Sequence, residues 1–113
     1  MDPRVQQVII FMEDSLDRHL SVTDFAKAVN LSPWRLSHLF KSETNVAPLQ
    51  YLRTLRMEHA KRLLETTFLS VKQVMTEVGL RDESHFVRDF KTTYGVSPTR
   101  YRLGLERIHS KKK

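Results

Sequence analysis

Two groups of side chains in this sequence are spaced to stand together on helix surfaces. In ESHFVRDFK, residues 83–91, Ser84, Val87, Arg88 and Lys91 fall on one side of a helix at ~100° per residue, with Glu83 beside them, and Phe86 and Phe90 lie opposite. Fifty residues earlier Trp34, Ser37, His38 and Lys41, together with Arg35, face away from Leu36, Leu39 and Phe40. The chemistry these side chains suit is recognition of base edges and phosphates. Arg88 is the strongest member, because a guanidinium on the acceptor pair of guanine is the commonest specific contact and is worth ~1–3 kcal/mol of discrimination. Glu83 can accept from a cytosine amino group or simply favour the helix N-terminus through the dipole, and the second is preferred. Trp34 suits apolar contact with a thymine methyl or a sugar, against the alternative of folding back on a neighbouring helix. His38 can accept from or donate to a base edge, or be an ordinary exposed histidine. Ser37, Ser84, Val87 and Arg35 complete the base-facing set. Lys41, Lys91, Arg53, Arg100 and Arg102 are phosphate candidates, giving affinity without sequence preference. The helix start at Ser32 offers backbone N–H groups to a phosphate, whereas Asp82 would repel one at the equivalent place.

Catalytic readings find little to stand on. The five histidines, His19, His38, His59, His85 and His109, form no H-x-x-x-H or H-E-x-x-H pair, and there is no cysteine. No glycine-rich phosphate loop occurs. Asp82, Ser84 and His85 share one helical turn, which builds neither a triad nor an oxyanion hole. Neither an enzyme nor a bound cofactor or metal is expected.

The elements that must carry these residues are legible in the spacing. Val71, Val74, Met75 and Val78 form an i, i+3, i+4, i+7 stripe, with Ser70 and Gln73 as a capping box in front. Gly79 to Arg81 break the pattern, and Asp82 caps the next helix. Two short helices about a tight glycine turn, the second with one buried and one polar face, describe a helix-turn-helix, whose second helix suits a DNA major groove. The same unit occurs earlier. Val22, Phe25, Ala26 and Val29 match Val71, Val74, Met75 and Val78 at an offset of 49, and Leu36, Phe40, Lys41, Val46, Pro48 and Tyr51 match Phe86, Phe90, Lys91, Val96, Pro98 and Tyr101 at an offset of 50. The single added residue falls inside the second turn, as expected of one supersecondary unit used twice.

Asp2 and Pro3 start a first helix whose stripe, from Val5 to Leu20, predicts a span of about Pro3 to Leu20. Its outer face carries Glu13, Asp14, Asp17 and Arg18, a solvated surface. Ser21 and Asp24 box the second helix, and Ser32 and Pro33 start the third. Pro48 to about Glu65 lacks internal glycine or proline and predicts a helix of ~27 Å. Leu49, Leu52, Met57, Ala60, Leu63 and Leu64 give it an apolar arc wide enough to be packed by both repeats. Arg56 lies inside that arc as a semi-buried structural arginine. A last helix is expected from Ser97 and Pro98 to about Ile108, then a frayed basic tail. The expected divisions are 1–46, 47–66 for the connecting helix, 67–109, and 110–113 for the tail.

Composition agrees. The 113 residues suffice for one compact domain or two small ones, with 40% hydrophobic residues, 3 Gly and 4 Pro, so an all-α chain follows. Net charge is +6, distributed as −2 over residues 1–30 and +8 over the rest, so the basic excess lies in the part with the helix-turn-helix pattern, as expected for a polyanion partner. Absence of cysteine fits a reducing cytoplasm, and no apolar run reaches the roughly 18 residues of a membrane span.

The run GLRDESHFVRDFKTTYGVSPTRYR, preceded by VKQVMTEV, resembles the signature of the AraC/XylS family of transcription regulators, carried by Gly79, Phe86, Arg88, Phe90, Lys91, Gly95, Ser97, Pro98, Tyr101 and Arg102. YLRTLRMEHAKRLL resembles the family's connecting helix. The family usually has Ala where Met75 stands and Phe where Leu80 stands, all apolar. The resemblance implies about seven helices in two homeodomain-like helix-turn-helix subdomains, joined by the central helix and offering two recognition helices to adjacent major grooves of one face of DNA, ~34 Å apart. It further implies double-stranded DNA as the partner, RNA polymerase as a second partner for an activator, no membrane, and a place in the bacterial cytoplasm at the nucleoid. The chain is then either a stand-alone monomeric regulator or part of a longer protein with a sensing or dimerisation domain. The rival reading is a basic helical interaction module that docks an acidic protein.

Overall fold

The computed structural model describes the backbone from Met1 to Lys111 and side chains through Leu105. Among the described residues seven helices follow one another: α1 Pro3–Asp14, α2 Val22–Ala28, α3 Pro33–Thr44, α4 Pro48–Thr66, α5 Val71–Glu77, α6 Glu83–Tyr94 and α7 Pro98–Lys111. There is no strand among the described residues. The chain divides into two compact units between Arg56 and Met57, a point inside α4.

In the first unit α1, α2 and α3 pack on one another. Their stripes close a core of Val5, Val8, Met12, Phe25, Leu36 and Phe40, joined by Leu20 and by Leu52 from the first half of α4. Phe25, Leu36 and Phe40 are fully buried, and each contributes ~1.5–3 kcal/mol by leaving water. In the second unit α5 packs on α6 and α6 on α7. Val74, Met75, Val78, Phe86 and Phe90 meet Met57, Ala60 and Leu64 from the second half of α4. Met75 and Leu80, where the family pattern has other apolar residues, belong to this core as a buried and a partly buried side chain. The wide apolar arc of α4 thus serves both cores, with one exception. Leu49 is 46% exposed.

The caps read from the sequence are formed. Ser21 accepts from the Asp24 amide while Asp24 accepts from the Ser21 amide, and Ser70 and Gln73 do the same. Two helix limits differ from expectation. α1 stops at Asp14 rather than near Leu20. Glu13, Asp14 and Asp17 crowd the negative end of the helix dipole, and Asp and Ser side chains compete for backbone hydrogen bonds, so the chain turns at Ser15, with its N–H donating to the Met12 carbonyl at 3.2 Å. Leu20 still reaches the core from the loop. At the other end α7 continues through Ser110 and Lys111, residues expected to belong to the tail; the rest of that tail, 112–113, lies outside the described residues.

Arg56 is half-buried. Its Nη2 donates to the Arg18 carbonyl at 2.7 Å, and its Nε is buried without a hydrogen-bond partner among the described residues. Desolvation holds its pKa below the usual arginine value. It is structural, as expected, yet its partner is a backbone carbonyl rather than a carboxylate. That bond ties α4 to the loop after α1.

Candidate nucleic-acid interface

Each of the two candidate helices is fixed at both ends by the same devices. At the entry to α3 Asn30 takes φ +57°, and at the entry to α6 Gly79 takes φ +79°. In both, the following N–H reaches back over the turn, Leu31 to the Ala26 carbonyl and Leu80 to the Met75 carbonyl, each at 3.0 Å. These are the six-to-one bonds that close a helix end when one residue adopts the left-handed region. Ser32 then caps α3 by accepting from the Arg35 amide at 3.2 Å, and Asp82 caps α6 by accepting from the His85 amide at 3.0 Å. At the far ends Asn45, φ +67°, and Gly95, φ +84°, donate to the Lys41 and Lys91 carbonyls. Repetition in sequence is therefore repetition in backbone conformation, down to the residues with positive φ.

Because Leu36 and Phe40 anchor α3 and Phe86 and Phe90 anchor α6, the helical period sends the intervening side chains outward. On α3 Trp34, Arg35, His38 and Lys41 are exposed and Ser37 is half-buried. On α6 Glu83, Ser84, Arg88 and Lys91 are exposed and Val87 is half-buried. Ser32 is exposed at the start of α3, and Arg53 is exposed on α4.

Trp34 does not fold back on a neighbouring helix. It is 68% exposed, and its indole lies against the His38 imidazole, ring centroids 3.9 Å apart and planes tilted by 33°. The Nδ1 of His38 sits 2.8 Å from the Trp34 carbonyl oxygen. No motif signals this stack in advance, although i, i+4 spacing permits it. The same spacing brings His85 Nε2 within 3.4 Å of Asp89 Oδ2 on α6, a pair outside the expected base- and phosphate-facing residues.

In the second unit Lys91 and Arg100 come together. With Gly95, Val96 and Ser97 they line a shallow depression of about 350 Å³. Ser97 caps the start of α7, its Oγ accepting from the Arg100 amide at 3.2 Å. A cationic notch beside a helix start suits an anionic oxygen.

Arg102 departs from its expected role as a phosphate contact. Its Nε donates to the Leu64 carbonyl and its Nη2 to the Thr67 carbonyl, both at 3.3 Å, and its Nη1 donates to the Leu69 carbonyl. The guanidinium is turned inward, where it closes the end of α4 and the link to α5. One residue earlier, the Tyr101 hydroxyl donates to Glu65, and burial together with that bond pushes the phenol up to about 12. Lys61 lies over the Tyr94 ring, 5.1 Å from its centroid.

Among the described residues no group of three or more histidine, aspartate or glutamate side chains could hold a metal ion. No described helix is long and apolar enough to cross a membrane.

Known proteins share this geometry. A helix-turn-helix domain family matches residues 25–104. The arabinose operon regulatory protein of Salmonella typhimurium is 38% identical over 107 residues, covering 94% of this chain and 38% of that protein. The lactose operon transcription activator of Staphylococcus xylosus is 32% identical, covering 87% of this chain and 35% of its own length. The chain thus spans less than two-fifths of the length of these curated relatives. Among solved structures, the DNA-binding domain of AdpA, crystallised with a target DNA, superposes with a TM-score of 0.88 at 30% identity, covering 93% of this chain and 95% of that one. An AraC-type regulator from Chromobacterium violaceum gives 0.84 at 28% identity, covering 89% and 90%. With the repeated turns, the seven helices and these matches together, the chain belongs to the AraC-type family of helix-turn-helix transcription regulators.

Proposed function

We propose that this chain binds double-stranded DNA in a sequence-specific way by inserting α3 and α6 into adjacent major grooves, and that it serves transcription as an activator. The observation that carries this reading is the duplication: two helices, each clamped by the same turn and cap, each presenting a polar face opposite paired buried side chains. A single helix-turn-helix usually needs a second copy from a dimer to cover two grooves. Here α4 runs for 19 residues without a break between one pair and the next. Trp34, Arg35, Ser37 and His38 act on bases in one groove, and Glu83, Ser84, Val87 and Arg88 in the other. Ser32, Lys41, Arg53, Lys91 and Arg100 hold phosphates. Arg102 is left out of this set, since its donors are engaged by carbonyls. The activator role rests on the activators among the relatives and implies contact with RNA polymerase.

Selection of bound duplexes from a random pool tests the reading. Two short motifs about one helical turn apart are expected, with log K falling linearly in log[salt]. A single motif, or binding with no sequence preference, refutes the two-groove arrangement. Absence of salt-dependent duplex binding, with capture of an acidic protein instead, refutes the DNA reading altogether.

A further inference from the structure

The contact between His38 and Trp34 decides which hydrogen-bonding face the histidine shows to a partner. The Trp34 carbonyl oxygen has lone pairs and no proton, so His38 Nδ1 at 2.8 Å must be the donor of that bond. A neutral imidazole carries one N–H only. With the proton on Nδ1, Nε2 is left as an acceptor, and it has no hydrogen-bond partner among the described residues. The ring cannot easily turn over to exchange the two nitrogens. Flipping it would break the bond to the carbonyl, and the indole against its face, with centroids 3.9 Å apart, restricts the alternatives. Trp34 and His38 are therefore one preformed unit, an aromatic surface with a single outward lone pair.

Resting on the reading that α3 enters a major groove, we infer that His38 is a specificity-determining residue that selects a base carrying an exocyclic amino group. In the major groove only adenine N6 and cytosine N4 present donors, whereas guanine and thymine present acceptors to the same region. An acceptor-only Nε2 bonds the first pair and leaves two acceptors facing each other with the second. The indole beside it adds a surface suited to a neighbouring thymine methyl. One position in the half-site read by α3 is thus expected to favour adenine or cytosine over guanine or thymine by roughly 3- to 10-fold, the range of one hydrogen bond made or left unmade.

Three forms of the full chain, wild type, His38→Phe and His38→Lys, are compared by selection from random duplexes, then by binding to the selected site with each of the four bases at the position concerned. Phenylalanine keeps a ring against Trp34 and removes the lone pair. Lysine offers donors only. The expected result is an adenine or cytosine preference in the wild type, loss of preference at that one position in His38→Phe with the rest of the motif unchanged, and a move toward guanine in His38→Lys. A wild-type preference for guanine or thymine there, or a motif that His38→Phe leaves intact, overturns the inference while the two-groove reading stands. A wild type that selects no motif at all removes both. Circular dichroism of each variant separates a change of preference from loss of the helix.

Discussion

Replacing Arg102 by alanine separates a structural arginine from a DNA-binding one. Its three donors reach carbonyls at the end of α4 and along the link to α5, Leu64 and Thr67 at 3.3 Å and Leu69 besides. Hydrogen bonds from a charged donor contribute ~1.5–3 kcal/mol each when well made. Two of these three are long, at 3.3 Å. The set is therefore worth about 2–3 kcal/mol rather than the sum of three full bonds. For a domain of this size 1 kcal/mol moves the thermal midpoint by ~4–8 °C, so Arg102→Ala should lower it by roughly 10–20 °C. Thermal unfolding followed by circular dichroism measures that shift. Titration of duplex DNA against salt, at a temperature where the variant is still folded, measures the other half of the claim. Since the guanidinium faces inward, the slope of log K on log[salt] should not change, whereas losing a phosphate contact lowers it by about one. Lysine should recover only a minor part of the stability, because one ammonium cannot reproduce a three-way fork. An unchanged midpoint with a reduced slope would refute the structural role and restore the phosphate contact.

Four further outcomes follow from the same geometry. Lys91→Ala should weaken binding to every duplex alike and lower the salt slope by about one; a slope equal to wild type counts against Lys91 as a phosphate contact. Arg88→Ala should cost ~1–3 kcal/mol on the cognate site and relax preference at one position, and an equal loss on unrelated sequences contradicts a base-reading role. Gly95 sits at φ +84° with open space where a Cβ would stand, so Gly95→Ala is penalised by the backbone alone, ~1–2 kcal/mol in urea unfolding. Gly95→Asn should be milder, because Asn45 holds the equivalent cap at φ +67°; an alanine variant as stable as wild type would show that cap to be unimportant. The Tyr101 phenol, raised by burial and by Glu65 to about 12 from an unfolded value near 10, binds its proton more tightly in the folded chain. Its contribution is then complete below about pH 10 and fades as pH rises through about 12. Tyr101→Phe should therefore flatten the fall of the thermal midpoint across that range, and parallel profiles for the two proteins would dismiss the effect.

Much of this molecule could be read from residue order because its main determinants are local. Ser21 with Asp24 and Ser70 with Gln73 form capping boxes whose partners lie within one helical turn. The stripes led by Phe25 and Val74 and the anchors Leu36, Phe40, Phe86 and Phe90 follow from a period of 3.6, and so does the outward placement of the residues between them. The structure added that Asn30 and Gly79, and Asn45 and Gly95, hold the same backbone positions in the two copies, filled by the two residue types that tolerate positive φ.

What only the folded chain decided are the destinations of long flexible side chains and the balance at helix ends. Arg102 and Lys91 look alike as basic residues on amphipathic helices, yet Arg102 turns inward because the end of α4, more than thirty residues away in sequence, leaves carbonyls within its reach. Arg56 finds the Arg18 carbonyl across 38 residues. α1 stops early because acidic residues meet its negative end, although its apolar stripe continues to Leu20. Periodicity determines which face a residue occupies, since it depends only on neighbours along the chain. Which partner a side chain meets there depends on atoms that folding alone brings near.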